Sequence, residues 1–331
     1  MSDRPPCLAV LGPTCAWKSD TALLLAEELG GDILSCDSMQ VYRGLDVGTA
    51  KPTPGMRARC PHHFVDLLDL AEPWDANRFV GLARPLLADL RARGRLPVLA
   101  GGTGLYARAL LYDFALLPAD SRLFAQIEAE LAAPEGPERL RRELLAAARA
   151  PQDAPPDTLR NPRRLARAVE VLRLTGSPPW ELAPERPAAP ALPVRQFILL
   201  PTMNVLKPRI EQRTAWMLGH GWIEEAETAI AAGLLRSPTA RQALGYRDIA
   251  AYLRGEIPDR EALLQTLVGR TVQYARRQRT WFRHQHPGAE ILEFDRPTTA
   301  EALRDHILDR LKQGGDGPTA CRPPAPGAGS P

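Results

Sequence analysis

The stretch Gly12-Pro13-Thr14-Cys15-Ala16-Trp17-Lys18-Ser19 sets the reading of the whole chain, because it follows the phosphate-loop pattern GxxxxGK[ST] at every defined position but one. Before it, Cys7 to Leu11 is an apolar run that reads as a buried strand, and after it Asp20 to Leu29 reads as a helix closed by Gly30. Such a loop needs this order of strand, loop and helix N-terminus. In it the backbone N–H groups from Thr14 to Lys18 point at anionic oxygens, Lys18 adds a positive charge, and the Ser19 hydroxyl is a magnesium ligand. Trp17 stands where the pattern has its second glycine. If that position needs a positive φ, a side chain there costs roughly 1–2 kcal/mol. Trp17 is therefore expected to fit the phosphate ligand less closely than glycine, and Trp17→Gly to tighten its binding.

The same alternation continues through the first third of the chain. Asp32 to Ser35 is a short strand ending at Cys36-Asp37-Ser38, Asp75 caps a helix that ends near Gly94, and Pro97 to Ala100 is a strand opening into Gly101-Gly102-Thr103-Gly104. Strands and helices in alternation predict an α/β fold, a P-loop NTPase-like parallel sheet with helices on both faces. In such sheets ligands bind at the carboxyl ends of the strands, so the phosphate loop, Asp37 and Thr103 are expected to share one cleft. From about Pro118 the composition shifts to Ala, Arg and Glu broken by prolines, which predicts a helical insertion domain over 118–194 between core segments 1–117 and 195–313. Gln196 to Leu200 returns to the sheet, long helical patterns follow, and Glu290 to Phe294 is a last strand. The Gly-, Pro- and Ala-rich tail over 314–331 is expected to be disordered.

A chain of 331 residues can bury a sizeable core, and a charged fraction of 24% is ordinary for a globular protein. The formal net charge of +3 is too small to announce a nucleic-acid binder, so only the distribution of charge could do so. Five cysteines, scattered at 7, 15, 36, 60 and 321, make no disulfide framework and fit a reducing cytoplasm. Cys60-Pro61-His62-His63 has no second ligand pair at zinc-like spacing. There is no membrane-length apolar run, and no obligate protein partner is evident, so the expectation is a cytoplasmic monomer.

Two basic stretches carry the charge. Arg160 to Arg173 begins with the cap and first-turn pair Asn161-Pro162 and places Arg163, Arg164 and Arg167 on neighbouring helical turns. Arg270 to Arg283 holds five arginines and no acid, interleaved with Tyr274, Trp281 and Phe282. Each could be a solvated helix face. Together they read as phosphate contacts along a nucleic-acid backbone, with aromatic rings available for stacking.

These segments, with Asp37-Ser38-Met39-Gln40-Val41-Tyr42, Gly48-Thr49-Ala50-Lys51-Pro52, Gly101-Gly102-Thr103-Gly104-Leu105-Tyr106, Gln242-Ala243-Leu244-Gly245-Tyr246-Arg247 and Arg276-Arg277-Gln278-Arg279-Thr280-Trp281-Phe282-Arg283, occur in the order seen in tRNA dimethylallyltransferases. The resemblance covers roughly residues 7 to 313. It implies transfer of a dimethylallyl group from dimethylallyl diphosphate to the exocyclic N6 of the adenine 3′ to the anticodon, with Mg2+ as cofactor. Asp37 would be the general base, while Lys18, Ser19 with magnesium, the loop Gly12 to Ser19 with its amides from Thr14 to Lys18, Thr103, and Arg209 or Arg213 would stabilise the leaving diphosphate. The target base, flipped from the anticodon stem-loop, would lie against Asp37, Ser38, Met39, Gln40 and Thr103 and against Gln242, Ala243, Leu244, Gly245, Tyr246 and Arg247. Arg163, Arg164, Leu165, Ala166 and Arg167 would grip the stem, and Phe124 falls near a tRNA-contacting position that is often arginine in the family. Two further readings are compatible with the residues: another P-loop enzyme, a kinase or an adenylate isopentenyltransferase, and a tRNA-binding relative whose phosphate site is impaired by Trp17.

Overall fold

The computed structural model describes residues 5–112, 116–182 and 189–313. These fall into two compact units, one drawn from 1–114 with 187–331 and the other from 115–186. The expectation for the tail over 314–331 lies outside the described residues.

The first unit begins with β1 (Leu8–Leu11), α1 (Lys18–Glu28), β2 (Gly31–Ser35), α2 (Pro54–Arg59), β3 (His62–His63), α3 (Ala76–Ala92), β4 (Leu96–Gly101) and α4 (Gly104–Leu111). The second unit is helical among its described residues: α5 (Ser121–Leu131), α6 (Gly136–Ala146), α7 (Pro156–Arg160), α8 (Pro162–Thr175) and α9 (Pro179–Leu182). The chain then returns to the first unit through β5 (Arg195–Pro201), α10 (Met203–Gly219), α11 (Trp222–Ala231), α12 (Tyr246–Leu253), α13 (Arg260–Gln285), β6 (Glu290–Phe294) and α14 (Ala300–Lys312).

All strand pairings are parallel, in the order β3-β2-β4-β1-β5-β6. Every residue of β1 and β2 is buried, as parallel strands covered by helices on both faces must be, which explains the unbroken apolar spelling of β1; in β2 the buried Asp32 is paired with His63 and Arg95. Register then fixes where the loops meet. Leu11 pairs with Gly101 and Ser35 with Ala100, so the segments leaving β1, β4 and β2 start side by side at the carboxyl edge. Close packing there selects glycine: a Cβ on Gly101 would lie 2.1 Å from the Cys36 carbonyl oxygen, and one on Gly12, at φ 147°, would lie 2.2 Å from that of Leu199.

Caps read from the sequence are present. Asp75 accepts from the Arg78 N–H at 2.9 Å to open α3, and Asn161 accepts from the Arg163 and Arg164 N–H groups to open α8. The two-residue β3 is an element the sequence did not announce. Its His63 Nε2 lies 3.0 Å from Asp32 Oδ2, and among the described residues no group of three or more His, Cys, Asp or Glu side chains could hold a metal ion. No helix of the described residues is long and apolar enough to cross a membrane. In the second unit Leu165, Ala166, Val169 and Leu172 of α8 pack with Ile127, Leu140 and Leu144 into a separate core.

Candidate active site

The three segments open into a cleft of about 440 Å³ lined by the phosphate loop, Asp37, Gly101, Gly102, Tyr274 and the side chains of α10. The loop reaches it through two left-handed residues. Cys15 has φ 62° and Trp17 φ 58°, so the positive φ expected at the second glycine position is present, carried by tryptophan. The indole is buried rather than exposed, with its ring 5.8 Å from that of Phe294.

Cations gather around the loop. Lys18 Nζ donates to the Pro13 carbonyl at 2.5 Å. Burial, with the nearby Arg213 charge adding to it, pushes the Lys18 ammonium down to about 8. Arg213 donates to Thr14 Oγ1 at 2.6 Å, and Arg209 donates through Nε to the Cys15 carbonyl at 3.1 Å. The two arginines lie four residues apart on α10 and therefore on one face, so both border the cleft, and geometry gives no reason to choose one as the clamp.

One expected donor is already engaged. The Thr14 N–H donates to Gln278 Oε1 at 2.9 Å, while Gln278 Nε2 donates to the Gly102 carbonyl at 2.8 Å. A single side chain of α13 thus couples the loops after β1 and β4, leaving the amides from Cys15 onward to face a ligand. Gln278 lies inside the basic motif, but nothing in its spelling marks it as a brace.

At the end of β2, Asp37 Oδ1 accepts from the Met39 and Gln40 N–H groups at 2.8 and 3.3 Å, which folds the turn and aims the carboxylate into the cleft. Thr103 precedes α4 yet makes no side-chain cap; its Oγ1 accepts from the Ser38 N–H at 3.1 Å and ties the two loops together. Gln40, expected against the base, has its amide engaged within the chain: Oε1 accepts from Ser35, and Nε2 donates to the Thr49 and Ala50 carbonyls. Its role is to hold the 49–50 segment against β2.

The 242–247 segment stands apart from the residues lining the cleft. Tyr246 is 1% exposed and donates to Glu225 Oε1 at 2.6 Å. Glu225 in turn accepts from the Asp46, Val47 and Gly48 N–H groups at 2.7, 2.7 and 3.0 Å. Tyr246 is therefore a buried brace for the loop after β2, not a stacking surface. Ala243 and Gly245 are also buried, Leu244 is half-buried, and Gln242 and Arg247 are exposed. No sequence signal singled out Glu225, an ordinary helical acid more than 170 residues from the loop it clasps.

The insertion arginines divide in the same way. Leu165 and Ala166 are 1% and 0% exposed in the core of the second unit, which removes their side chains from any tRNA surface, and Phe124 packs on that core. Arg167 pairs with the buried Glu170 at 2.5 Å and donates to the Leu117 carbonyl, so its guanidinium anchors the insertion. Arg163 and Arg164 are exposed, and Arg164 pairs with Asp157. In the second basic stretch Phe282 is buried, Trp281 packs where a Cβ on Gly104 would lie 2.2 Å away, and Arg270 and Arg283 pair with Asp248 and Glu293.

Known proteins resemble this chain over most of its length. The family model of IPP transferases matches residues 40–285, and that of isopentenyl transferases matches residues 6–59. The tRNA dimethylallyltransferase of Halorhodospira halophila is 43% identical over 88% of this chain and 94% of its own length. That of Thermus thermophilus is 45% identical over 86% of this chain and 90% of its own. Among solved structures, the full-length tRNA isopentenylpyrophosphate transferase of Bacillus halodurans superposes with a TM-score of 0.65 at 33% identity, covering 94% of this chain and 98% of its own. A eukaryotic dimethylallyltransferase acting on tRNA shares the fold with a TM-score of 0.75 at 21% identity, covering 96% of this chain and 82% of its own.

Proposed function

The chain belongs to the tRNA dimethylallyltransferase family, and from that premise we propose that it moves a dimethylallyl group from dimethylallyl diphosphate to the exocyclic N6 of the adenine 3′ to the anticodon. The observation carrying this reading is the meeting of a phosphate loop, two arginines and the Asp37 carboxylate at the carboxyl edge of adjacent strands. The amine is a weak nucleophile because its lone pair is delocalised into the ring. As N6 bonds to the allylic carbon, the carbon–oxygen bond to diphosphate breaks, and the amine proton passes to Asp37. Lys18, Arg209, Arg213 and the loop amides from Cys15 onward then face a diphosphate that is gaining charge.

The donor set suits Mg2+ as the cofactor. Ser19 offers one exposed hydroxyl with no partner among the described residues, and magnesium is commonly held by one or two protein oxygens, substrate phosphates and water. When bound it neutralises charge on the diphosphate. Ser19→Ala is the matching substitution, read as a loss of magnesium dependence in pyrophosphate binding.

For the tRNA anticodon stem-loop, the exposed Arg163 and Arg164 are the phosphate contacts offered by the insertion. Replacing both with alanine should weaken tRNA binding and reduce the slope of log affinity against log salt by up to about 0.9 per lost contact on duplex stem. An unaltered slope would make them a solvated face. Arg167→Ala should instead lower the stability of the insertion, because it leaves the buried Glu170 carboxylate without its cation, holding only the Asp120 N–H among the described residues. Transfer of label from dimethylallyl diphosphate to unmodified tRNA tests the activity itself.

A further inference from the structure

Trp17 occupies a glycine position of the phosphate loop, and its ring does more than fill space. The Arg209 guanidinium carbon lies 3.5 Å from the indole centroid, a cation–π contact, and the indole also packs at a tilt against Phe294 of β6. Arg209 Nε is fixed on the Cys15 carbonyl, and neither Nη group has a hydrogen-bond partner among the described residues. The guanidinium is thus oriented by ring and carbonyl with both Nη groups left over as donors, in a cleft that also contains Lys18, Arg213 and the carboxylates of Asp20 and Asp37. Like charges so close together favour moving one side chain out to water. The negative face of the indole opposes that movement.

We propose that Trp17 is a positioning residue for the transfer reaction, its indole face holding the Arg209 guanidinium in the cleft so that its free donors meet the departing diphosphate. This rests on reading the cleft as the diphosphate site. It reverses the expectation from the loop pattern alone, in which tryptophan only impairs the fit. Removing the ring relieves backbone strain at φ 58°, but it leaves Arg209 without its platform and opens a gap against Phe294.

The test uses the full chain and inorganic pyrophosphate with magnesium, titrated against wild type, Trp17→Gly, Trp17→Phe, Arg209→Ala and the Trp17→Gly/Arg209→Ala double variant. Glycine suits the positive φ, so Trp17→Gly is expected to fold. Pyrophosphate affinity should fall on the order of tenfold in Trp17→Gly and stay within about threefold of wild type in Trp17→Phe, which keeps a π face. In the Arg209→Ala background, Trp17→Gly should have no further effect. A loss that persists undiminished in that background would show that the ring serves loop order alone and would overturn the proposal. So would tighter or unchanged binding in Trp17→Gly while Arg209→Ala is weakened. If Arg209→Ala itself binds pyrophosphate as wild type does, it is the role given to Arg209 at the diphosphate site that fails.

Discussion

Asp37→Asn should slow dimethylallyl transfer by about two to four orders of magnitude, the range expected for loss of a general base, while leaving the fold and tRNA affinity intact. The structure makes the substitution unusually clean. Among the described residues only Oδ1 is used internally, as acceptor for the Met39 and Gln40 N–H groups, and an asparagine carbonyl can accept from both in the same geometry. The turn after β2 therefore survives, and what disappears is the capacity to take a proton. Single-turnover rates with saturating tRNA and donor measure the change. A rate near that of wild type would remove Asp37 from the chemistry.

Lys18→Met should lower the transfer rate by about 10²–10³-fold, comparable to removing one preorganised donor from a developing anion. Among the described residues its side chain's only hydrogen bond is to the Pro13 carbonyl, so the loop loses little else. The charge also gives a pH signature. Burial and Arg213 bring the free-enzyme ammonium down to about 8, and only the charged form attracts diphosphate. Lys18 is therefore charged well below pH 8 and becomes neutral as pH rises through that value, so wild-type affinity for pyrophosphate should fall there relative to Lys18→Met. The variant carries the ligand's own ionisation in the same range, which leaves the difference to Lys18. Parallel pH profiles for the two proteins would contradict the assignment.

The sheet was legible because parallel strands buried on both faces spell apolar runs, as in Cys7 to Leu11 and Phe197 to Leu200. That Asp37, the glycines after β4 and the phosphate loop line one cleft follows from the rule that ligands occupy the carboxyl ends of such strands, whereas Thr103 is not among the lining residues and instead ties the loops after β2 and β4 together. Less visible were the braces. Gln278 and Glu225 act through backbone groups of segments 176 to 264 residues away, and pairings of that span leave no local pattern. The motif segment 242–247 misled in a specific way: its aromatic looks available for a base, but Tyr246 is buried to hold Glu225 in place. On α8, spacing put the arginines on neighbouring turns, yet it could not say that Arg167 faces the buried Glu170. Trp17 shows the converse, since the mismatch was plain in the sequence and its partner Arg209, on a helix 190 residues later, was not.

The most direct measurement is a single-turnover transfer reaction with isotopically labelled dimethylallyl diphosphate, magnesium and an unmodified tRNA carrying adenine 3′ to its anticodon, run beside free adenylate. After nuclease digestion and chromatography of the nucleosides, the account predicts label on N6-dimethylallyladenosine from the tRNA, stoichiometric with diphosphate release, and none on the free nucleotide. Label on adenylate in preference to tRNA, or tRNA that binds but never acquires label while donor and magnesium saturate the enzyme, would contradict it.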